Sequence, residues 1–580
     1  MHRFACSWLL ACLAVGGMVV VAGCGKTETD CEDGIGCVDP GTGGSGGTSG
    51  TGGTAGDAGS SGSGGTIGDA GDEDVSTGGT AGEGGSAGAD AGDASDDLTD
   101  ATEEPEAFWC DPTWEPGDHE CVIDDEFGVF VSPSGIDGAG CGTEANPCAT
   151  MARGMTEAKA AGKRVYACGD GGAYAENLVI DASLDGLVVF GGFHCSGWTY
   201  EPTSVRARVL PNGGGPALVI DGSGGVEMND FVFESLSATT PGGSSIAAVV
   251  RDSAAVVFRN SQFIAGDGAA GVNGSHGSKG EDGLLATATQ NGRGAECSVT
   301  DFAREGASAG IGSACGSVGG NGGGAFRNGS GSNGYPGTPN TDVTPSGVEN
   351  QGAGASTVGV PGGAGQPGSP GNDGANASAA PTAGIFAATG FTSAAGSSGT
   401  PGMPGQGGGG GGGSAAPATA NPACIGATGG AGGMGGCGGT SGAGGTGGGA
   451  SVALLVWTSG VTLDGCTLES GVGGEGGDGG NGGARGLGQD GGGGGQKLGA
   501  IAAGGDGGLG GNGGLGGSGS GGTGGPSYAL VYHGAAPTEQ GTVTLAPGSG
   551  GAKGLGGQAP GGIAAPDGTE GDTAQRREVQ

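Results

Sequence analysis

The sequence is short of most of what fills a protein interior. Aromatic residues make up 4% of its 580 positions and charged residues 13%, while 157 positions are glycine. Three or four ordinary cores cannot be built from that stock, although the length would allow several domains. One modest core with long polar excursions is the expectation. Positive charge is also scarce: 19 Lys and Arg stand against 59 Asp and Glu, a formal charge of −40. Such a chain repels nucleic-acid phosphate and anionic headgroups, so no nucleic-acid partner is expected. Histidine occurs five times and no Cys-x-x-Cys pair occurs, which argues against a zinc site. Neither a metal nor a cofactor is expected. Beyond the apolar run from Trp8 to Ala22, no second run is long enough to span a membrane.

What is present starts with Met1-His2-Arg3, a short positive stretch ahead of that apolar run, which closes on Val21-Ala22-Gly23-Cys24. This is the layout of a secretory signal over 1–23. Its last four residues resemble the lipobox of bacterial lipoproteins. The resemblance implies cleavage before Cys24, a lipid on Cys24, and membrane contact through that lipid. Gly25, rather than Asp, after the Cys implies the outer membrane or cell surface. Residues 24–107 are Gly, Ser, Thr, Ala and Asp with almost no large apolar side chain. That composition cannot offset its ordering entropy by burial, and a flexible acidic tether is expected.

Sixteen cysteines suit an exported chain. Cys6 and Cys12 leave with the signal and Cys24 carries lipid, so an odd thirteen remain. Several are close in sequence: Cys31 with Cys37, Cys110 with Cys121, Cys141 with Cys148, Cys297 with Cys315, and Cys424 with Cys437. Local disulfides are expected there, with Cys168 and Cys195 as further candidates, though spacing does not fix connectivity. Cys466 falls at an inward strand position and is the expected unpaired, buried thiol.

A short apolar phrase recurs four times, opening at Gly215, Ser245, Ser451 and Ser527, with Ala at its third position each time. Bounded by Gly and Ser, it describes a buried strand. A second strand follows with apolar residues at period two around a two-residue corner. The copies are Val226, Met228, Phe231, Phe233; Val256, Phe258, Ser261, Phe263; and Val461, Leu463, Cys466, Leu468. Val188, Phe190, Phe193, Cys195 read as an earlier copy, and Val543, Leu545 as a degenerate last one. Period two puts each set on one face, and Asn, Asp or Gly at the corner bends the strand. Val226 and Val256 are thirty residues apart, one coil with one loop. Both parities of the opening phrase are apolar, so its outer face should be covered as well.

Upstream, Val129-Phe130-Val131-Ser132-Pro133-Ser134-Gly135 and Gly142-Thr143-Glu144-Ala145-Asn146-Pro147-Cys148 precede a helix ending at Gly162. Met151, Met155 and Ala158 share one face of that helix, and the strand phrases Arg164–Cys168 and Tyr174–Ile180 follow it. This order resembles the N-terminal module of pectin-lyase-like right-handed parallel β-helices over about 129–265. The resemblance implies an all-β fold of about five coils whose open end the helix caps.

The resulting organisation is a signal (1–23), tether (24–107), Cys/Trp knot (108–128), first coils (129–265), glycine-rich excursion (266–450), coil (451–470), second excursion (471–526), last coil (527–547) and polar tail (548–580). Each excursion leaves after one coil's second strand and returns at the next opening phrase, and closure cost grows slowly with loop length. The excursions carry triplets such as Gly504-Gly505-Asp506. Unordered chain, a bundle of polyglycine-type helices and a short collagen-like stretch at Gly365–Gly374 all fit that period. These stretches also resemble the glycine-rich repeats of PGRS-type proteins.

Enzymes of the pectin-lyase-like fold set the test for catalysis. The Asn340-Thr341-Asp342 triplet resembles the first motif of galacturonan hydrolases, yet it lies in an excursion and no Gly-His-Gly or Arg-Ile-Lys follows. No catalytic residues are assigned. The seventh position of the opening phrase holds Asp221, Arg251, Trp457 and His533. Stacked in register these would form a ladder with steps of about 4.8 Å, able to meet a sugar or peptide; the other reading is an Asp221–Arg251 surface ion pair, with Trp457 packed beneath a glycine loop. The leading expectation is a non-enzymatic, lipid-anchored structural or adhesive envelope protein that meets cell-surface polysaccharide or protein. The alternative is a carbohydrate-binding or carbohydrate-active β-helix.

Overall fold

The computed structural model describes residues 109–309 and 312–580. The signal 1–23, the lipidation position Cys24, the tether 24–107 and the Cys31 and Cys37 pair lie outside the described residues.

The first elements are β1 (Gly128–Val131), α1 (Met151–Ala161), β2 (Arg164–Cys168) and β3 (Leu178–Asp181). The helix starts where the Thr150 hydroxyl accepts the Arg153 N–H and stops where Gly162 turns left-handed at φ 67°. Its Met151, Met155 and Ala158 are buried against the main core. There follow β4 (Val188–Phe193), β5 (Ala207–Val209), β6 (Leu218–Asp221), β7 (Val226–Asn229), β8 (Phe231–Ser235), β9 (Ser245–Arg251), β10 (Val256–Arg259) and β11 (Gln262–Ala265). The first glycine-rich excursion holds β12 (Glu296–Cys297), β13 (Ala303–Arg304), β14 (Ala325–Phe326), β15 (Gly384–Ala387), β16 (Gly390–Ser393) and β17 (Cys424–Ile425). These six pair as antiparallel ribbons β12–β17, β13–β14 and β15–β16. The last elements are β18 (Ser451–Trp457), β19 (Val461–Asp464), β20 (Thr467–Glu469), β21 (Ser527–His533), β22 (Thr538–Gln540), β23 (Thr544–Ala546) and β24 (Thr573–Glu578).

The remaining strands form three sheets, ordered β1-β2-β4-β7-β10-β19-β22, β5-β8-β11-β20-β23 and β3-β6-β9-β18-β21-β24. Every pairing in them is parallel. From β4 onward the chain visits first, second and third sheet in turn, as β4-β5-β6, β7-β8-β9, β10-β11-β18, β19-β20-β21 and β22-β23-β24. Inward side chains from all three sheets make one apolar core. Leu218, Ala248, Leu454 and Leu530 stand in one column, so copies 206 residues apart in sequence are neighbours in register. Inside, the ring of Phe233 stacks on Phe263 at 5.4 Å and Phe258 meets Phe263 edge-on at 5.0 Å.

Corners repeat as strictly as strands. Asp230, Asn260 and Gly465 turn the first sheet into the second at φ 67°, 46° and 63°, where Asn, Asp and Gly are the tolerated residues. At the turn from third sheet to first, Ser253 and Ser459 donate to the carbonyls of Arg251 and Trp457, and their oxygens accept the N–H groups of Ser223 and Ser253 at 3.0 Å. These buried hydroxyls satisfy backbone groups that the turns release from the ladders.

Three readings from sequence need correction. The copy Val188, Phe190 is offset by one: Val188 pairs with Glu227, so Leu187 and Val189 face the core. Phe190 instead joins Phe130, Tyr166, Phe193 and Trp198 in a separate aromatic cluster on the other face of the first sheet. A bulge between Tyr166 and Cys168 marks the irregularity. At the other end, Leu545 pairs with Leu468 in the second sheet, and the place opposite Leu463 goes to the exposed Glu539. Finally, 548–580 is no tail: it holds a third excursion and then β24, which pairs with β21.

The excursions themselves are ordered. Each leaves the second sheet, runs outward, returns, and rejoins the third sheet, and extended segments bond side by side with period three. In 266–283, Gly268, Gly271, Gly274, Gly277, Gly280 and Gly283 donate to the carbonyls of Val472, Glu475, Asp478, Asn481, Ala484 and Leu487 at 2.7–2.9 Å. The returning segment 504–525 exchanges backbone bonds with six neighbours: 362–377, 396–413, 428–449, 472–495, 549–558 and 565–571. This is a lattice of polyglycine-type helices, and the unordered and collagen-like readings fall. At about 3.1 Å per residue, segment 472–496 carries its far end roughly 75 Å outward.

The glycine count per triplet follows the number of packed edges. Segment 266–283, on the lattice rim, has one glycine per triplet; 504–517, with one edge showing side chains, has two; Gly407–Gly413, enclosed on all sides, has three. A Cβ at any of those seven would come within 3 Å of a neighbouring backbone carbonyl oxygen. The remaining side chains satisfy backbone donors across the gap: Asn273, Asp282, Asp373 and Asn376 accept the N–H groups of Asp478, Leu487, Leu515 and Ser518 at 2.7–2.9 Å.

The outer face of the third sheet is covered, as its apolar pattern requires. Ile246, Val249, Val452, Leu455, Tyr528 and Val531 are buried there, with Phe386 and Phe391 of the β15–β16 ribbon laid over them.

Candidate functional site

The seventh-position residues do fall in one row: Asp221 is registered with Arg251, Arg251 with Trp457, and Trp457 with His533. Their side chains are already engaged with one another. Arg251 donates to Asp221 at 2.6 Å, and that hydrogen bond holds the Asp221 carboxyl below its usual range. Trp457 stacks on His533 at 4.3 Å and 19°, and also packs against the outer apolar cluster. His533 Nδ1 lies 2.9 Å from the Val579 carbonyl. The row is two satisfied pairs, with no face presented jointly by the four.

Charge elsewhere on the sheets is treated the same way. Arg259 bridges Glu227 and Asp464 at 2.9 and 3.0 Å, and Arg208 pairs with Glu234 and Arg576 with Glu539. Glu227, Glu234, Asp464 and Glu539 are therefore engaged by arginine, while the Asp230 carboxylate accepts from Tyr200 and Asn260. The one metal-type grouping among the described residues, Asp137 with Cys141 and Cys148, is spent too. The cysteines are bonded to each other, and Asp137 accepts the N–H groups of Ala149 and Thr150 ahead of α1.

The disulfides are Cys110–Cys121, Cys141–Cys148, Cys168–Cys195, Cys297–Cys424 and Cys315–Cys437. Local pairing of Cys297 with Cys315 and of Cys424 with Cys437 is thus overturned: the lattice brings together residues 127 and 122 apart in sequence. Cys466 is free and buried. It stands one pass beyond Ser261 at the same corner, and its thiol lies 3.5 Å from the Asp464 carbonyl, as the Ser261 hydroxyl donates to Arg259. It is a sulfur stand-in for a structural hydroxyl, and burial pushes its pKa up to about 11. We expect native protein at pH 8 to resist alkylation at Cys466 until unfolded, with Cys466→Ser stable to within about 1 kcal/mol; peptide mapping and thermal melts check both.

A cleft of about 410 Å³ at the far part of the lattice is of a different character. It forms around the β13–β14 ribbon and is walled by Phe326 and Tyr335. The rings are 48% and 62% exposed, in a chain whose other aromatics are mostly interior. Phe302, adjoining, is 76% exposed and carries the Arg327 guanidinium 3.9 Å over its ring. Arg304 is fixed by Glu296 and by the Gly294 carbonyl, while Glu305, Ser308, Asn321 and Ser332 line the polar side. Among the described residues, Trp109 is the only other aromatic as exposed. The backbone beneath is held by Cys297–Cys424 and Cys315–Cys437, so the rings are displayed on a fixed frame. The sequence reading of 266–450 as a glycine-rich excursion assigns no role to these aromatics. The available signal was three aromatics within 302–335 without a strand pattern to bury them.

The chain matches no protein-family model, no curated protein and no solved structure.

Proposed function

We propose that the protein is a non-catalytic adhesive of the cell surface, exported and held by a lipid on Cys24, that presents the Phe326–Tyr335 cleft to neutral polysaccharide. On this reading the three sheets are a right-handed parallel β-helix of the pectin-lyase-like kind, closed at its first coil by α1, and the lattice is the arm that carries the contact surface outward. The observation that carries it is the gathering of exposed rings at the lattice's far part. Aromatic faces suit the C–H faces of pyranose rings, and the polar lining offers donors and acceptors to hydroxyls. A formal charge of −40 disfavours acidic polymers. The Arg-engaged carboxylates across the sheets support the non-catalytic half.

Pull-down on insoluble neutral and acidic polysaccharides tests this. Binding to neutral polymer, lost at least tenfold in Phe326→Ala/Tyr335→Ala with an unchanged melt, is expected; bond cleavage or a preference for acidic polymer overturns it. Membrane fractionation of Cys24→Ser tests the anchor, which is wrong if that variant stays with the membrane.

A further inference from the structure

Eight asparagines of the chain are followed by glycine: Asn212, Asn273, Asn291, Asn321, Asn328, Asn333, Asn481 and Asn512. An Asn-Gly pair carries its own chemistry, because no side chain hinders the glycine nitrogen from attacking the Asn Cγ. An N–Cγ bond forms, the Cγ–Nδ2 bond breaks, and Nδ2 leaves as ammonia with the proton of the glycine amide. Water then opens the five-membered imide at either carbonyl, giving aspartate or isoaspartate. Ring closure needs two freedoms: a glycine N–H able to give up its proton, and an Asn side chain able to swing round to it.

The lattice removes both. Gly274, Gly292, Gly322, Gly334, Gly482 and Gly513 donate to the carbonyls of Asp478, Gly493, Ala307, Gly352, Gln558 and Gly486 at 2.7–3.2 Å. The side chains ahead of them are held as well: Oδ1 of Asn273, Asn291, Asn321, Asn333, Asn481 and Asn512 accepts the N–H of Asp478, Gly493, Ala309, Gly354, Gln558 and Gly488 at 2.7–3.0 Å. Asn328 is gripped at both ends of its amide, by the Cys424 N–H at 3.0 Å and the Ala420 carbonyl at 3.5 Å. Asn212 differs from all of these. It is exposed in the turn between β5 and β6, and among the described residues neither its side chain nor the Gly213 N–H has a hydrogen-bond partner. A Cβ at Gly213 would meet nothing within 4 Å, which leaves room for the ring. The damage done also differs. Isoaspartate adds one carbon to the backbone, and in a lattice whose bonds recur every third residue that would throw each later bond out of register. No backbone N–H of 211–216 takes part in a backbone bond, and the ladder resumes only where Ala217 donates to Ala247.

We propose that Asn212 is a site of self-modification, converting to aspartate and isoaspartate, and that hydrogen bonding in the fold shields the other seven Asn-Gly pairs from the same reaction. Peptide mapping of the full chain after incubation in mildly alkaline buffer tests this, with isoaspartate read by enzymatic methylation. Deamidation at Asn212 should run at least tenfold faster than at any of the other seven, because hydrogen-bonded amides react only through local opening. In guanidinium with reductant the eight should react at similar rates. Gly213→Ala, which hinders the attacking nitrogen, should slow the reaction at Asn212 at least tenfold with an unchanged melt. Reaction in the native chain at any of the seven as fast as at Asn212 overturns the proposal. So does a gap that persists in guanidinium, which would trace it to flanking sequence instead of structure.

Discussion

Gly410→Ala is expected to destabilise the lattice by at least about 3 kcal/mol, in the upper range of overpacking substitutions. Gly410 lies within the run Gly407–Gly413, and a Cβ there would meet the Asn321 carbonyl oxygen and come within 3 Å of its carbon. The obstacle is backbone held in register on the far side, so no side chain can swing away. Yielding would break the bonds that Gly410 exchanges, among them its N–H to the Tyr335 carbonyl at 2.9 Å and the Gly352 N–H to its own carbonyl at 2.8 Å. Gly493→Ala is the control: the nearest atoms to a Cβ there, apart from its two sequence neighbours, are the Asn291 and Asp506 side-chain oxygens at 3.7 and 3.9 Å, and a change within about 0.5 kcal/mol is expected. Hydrogen exchange at 320–340 and 428–449 reads both variants, and equal effects would refute the lattice packing.

Removing Cys297–Cys424 should release the far part of the lattice at a cost of about 5 kcal/mol in the chain-entropy account, because the bond closes a loop of 127 residues. Cys315–Cys437 spans an overlapping 122 residues, so the second loss adds less than the first. Cys297→Ala/Cys424→Ala should admit protease between residues 297 and 345 while the three sheets keep their melting transition. Unchanged cleavage would mean that backbone bonding alone holds this part.

The contrast between the two halves explains what could be read from sequence. Strands announce themselves through side chains: the alternation at Val256, Phe258 and Phe263 carries its inward face in the residue types. Where alternation lapses, at Gly191-Gly192 and at Thr538–Gln540, the register read from apolar residues slips. The lattice bonds through backbone alone, and backbone is the same at every position. Its one written trace is how many residues of each triplet must lack a Cβ, which identifies a segment's edges but never its partner. Hence the pairing of Cys297 with Cys424 was beyond reach of spacing, since partners in a lattice need not be neighbours in sequence. The row Asp221, Arg251, Trp457, His533 was legible as a row, because register fixes it. The Asp221–Arg251 ion pair was legible too, from opposite charges one pass apart, whereas the stacking of Trp457 on His533 was not, because side-chain choice of partner there is decided in three dimensions. Phe326 and Tyr335 were hidden by the reverse problem, sites without any periodic frame around them.

The absence of a Cβ along Gly407–Gly413 has a thermal consequence. Unfolding the sheets exposes Phe231, Phe233, Phe258 and Phe263 to water, which raises heat capacity and bends the stability curve, so their stability weakens on cooling as well as on heating. Unfolding the lattice exposes chiefly peptide groups, whose hydration lowers heat capacity. The arm's stability should therefore vary almost linearly with temperature and persist in the cold, outlasting in that direction the body that carries it.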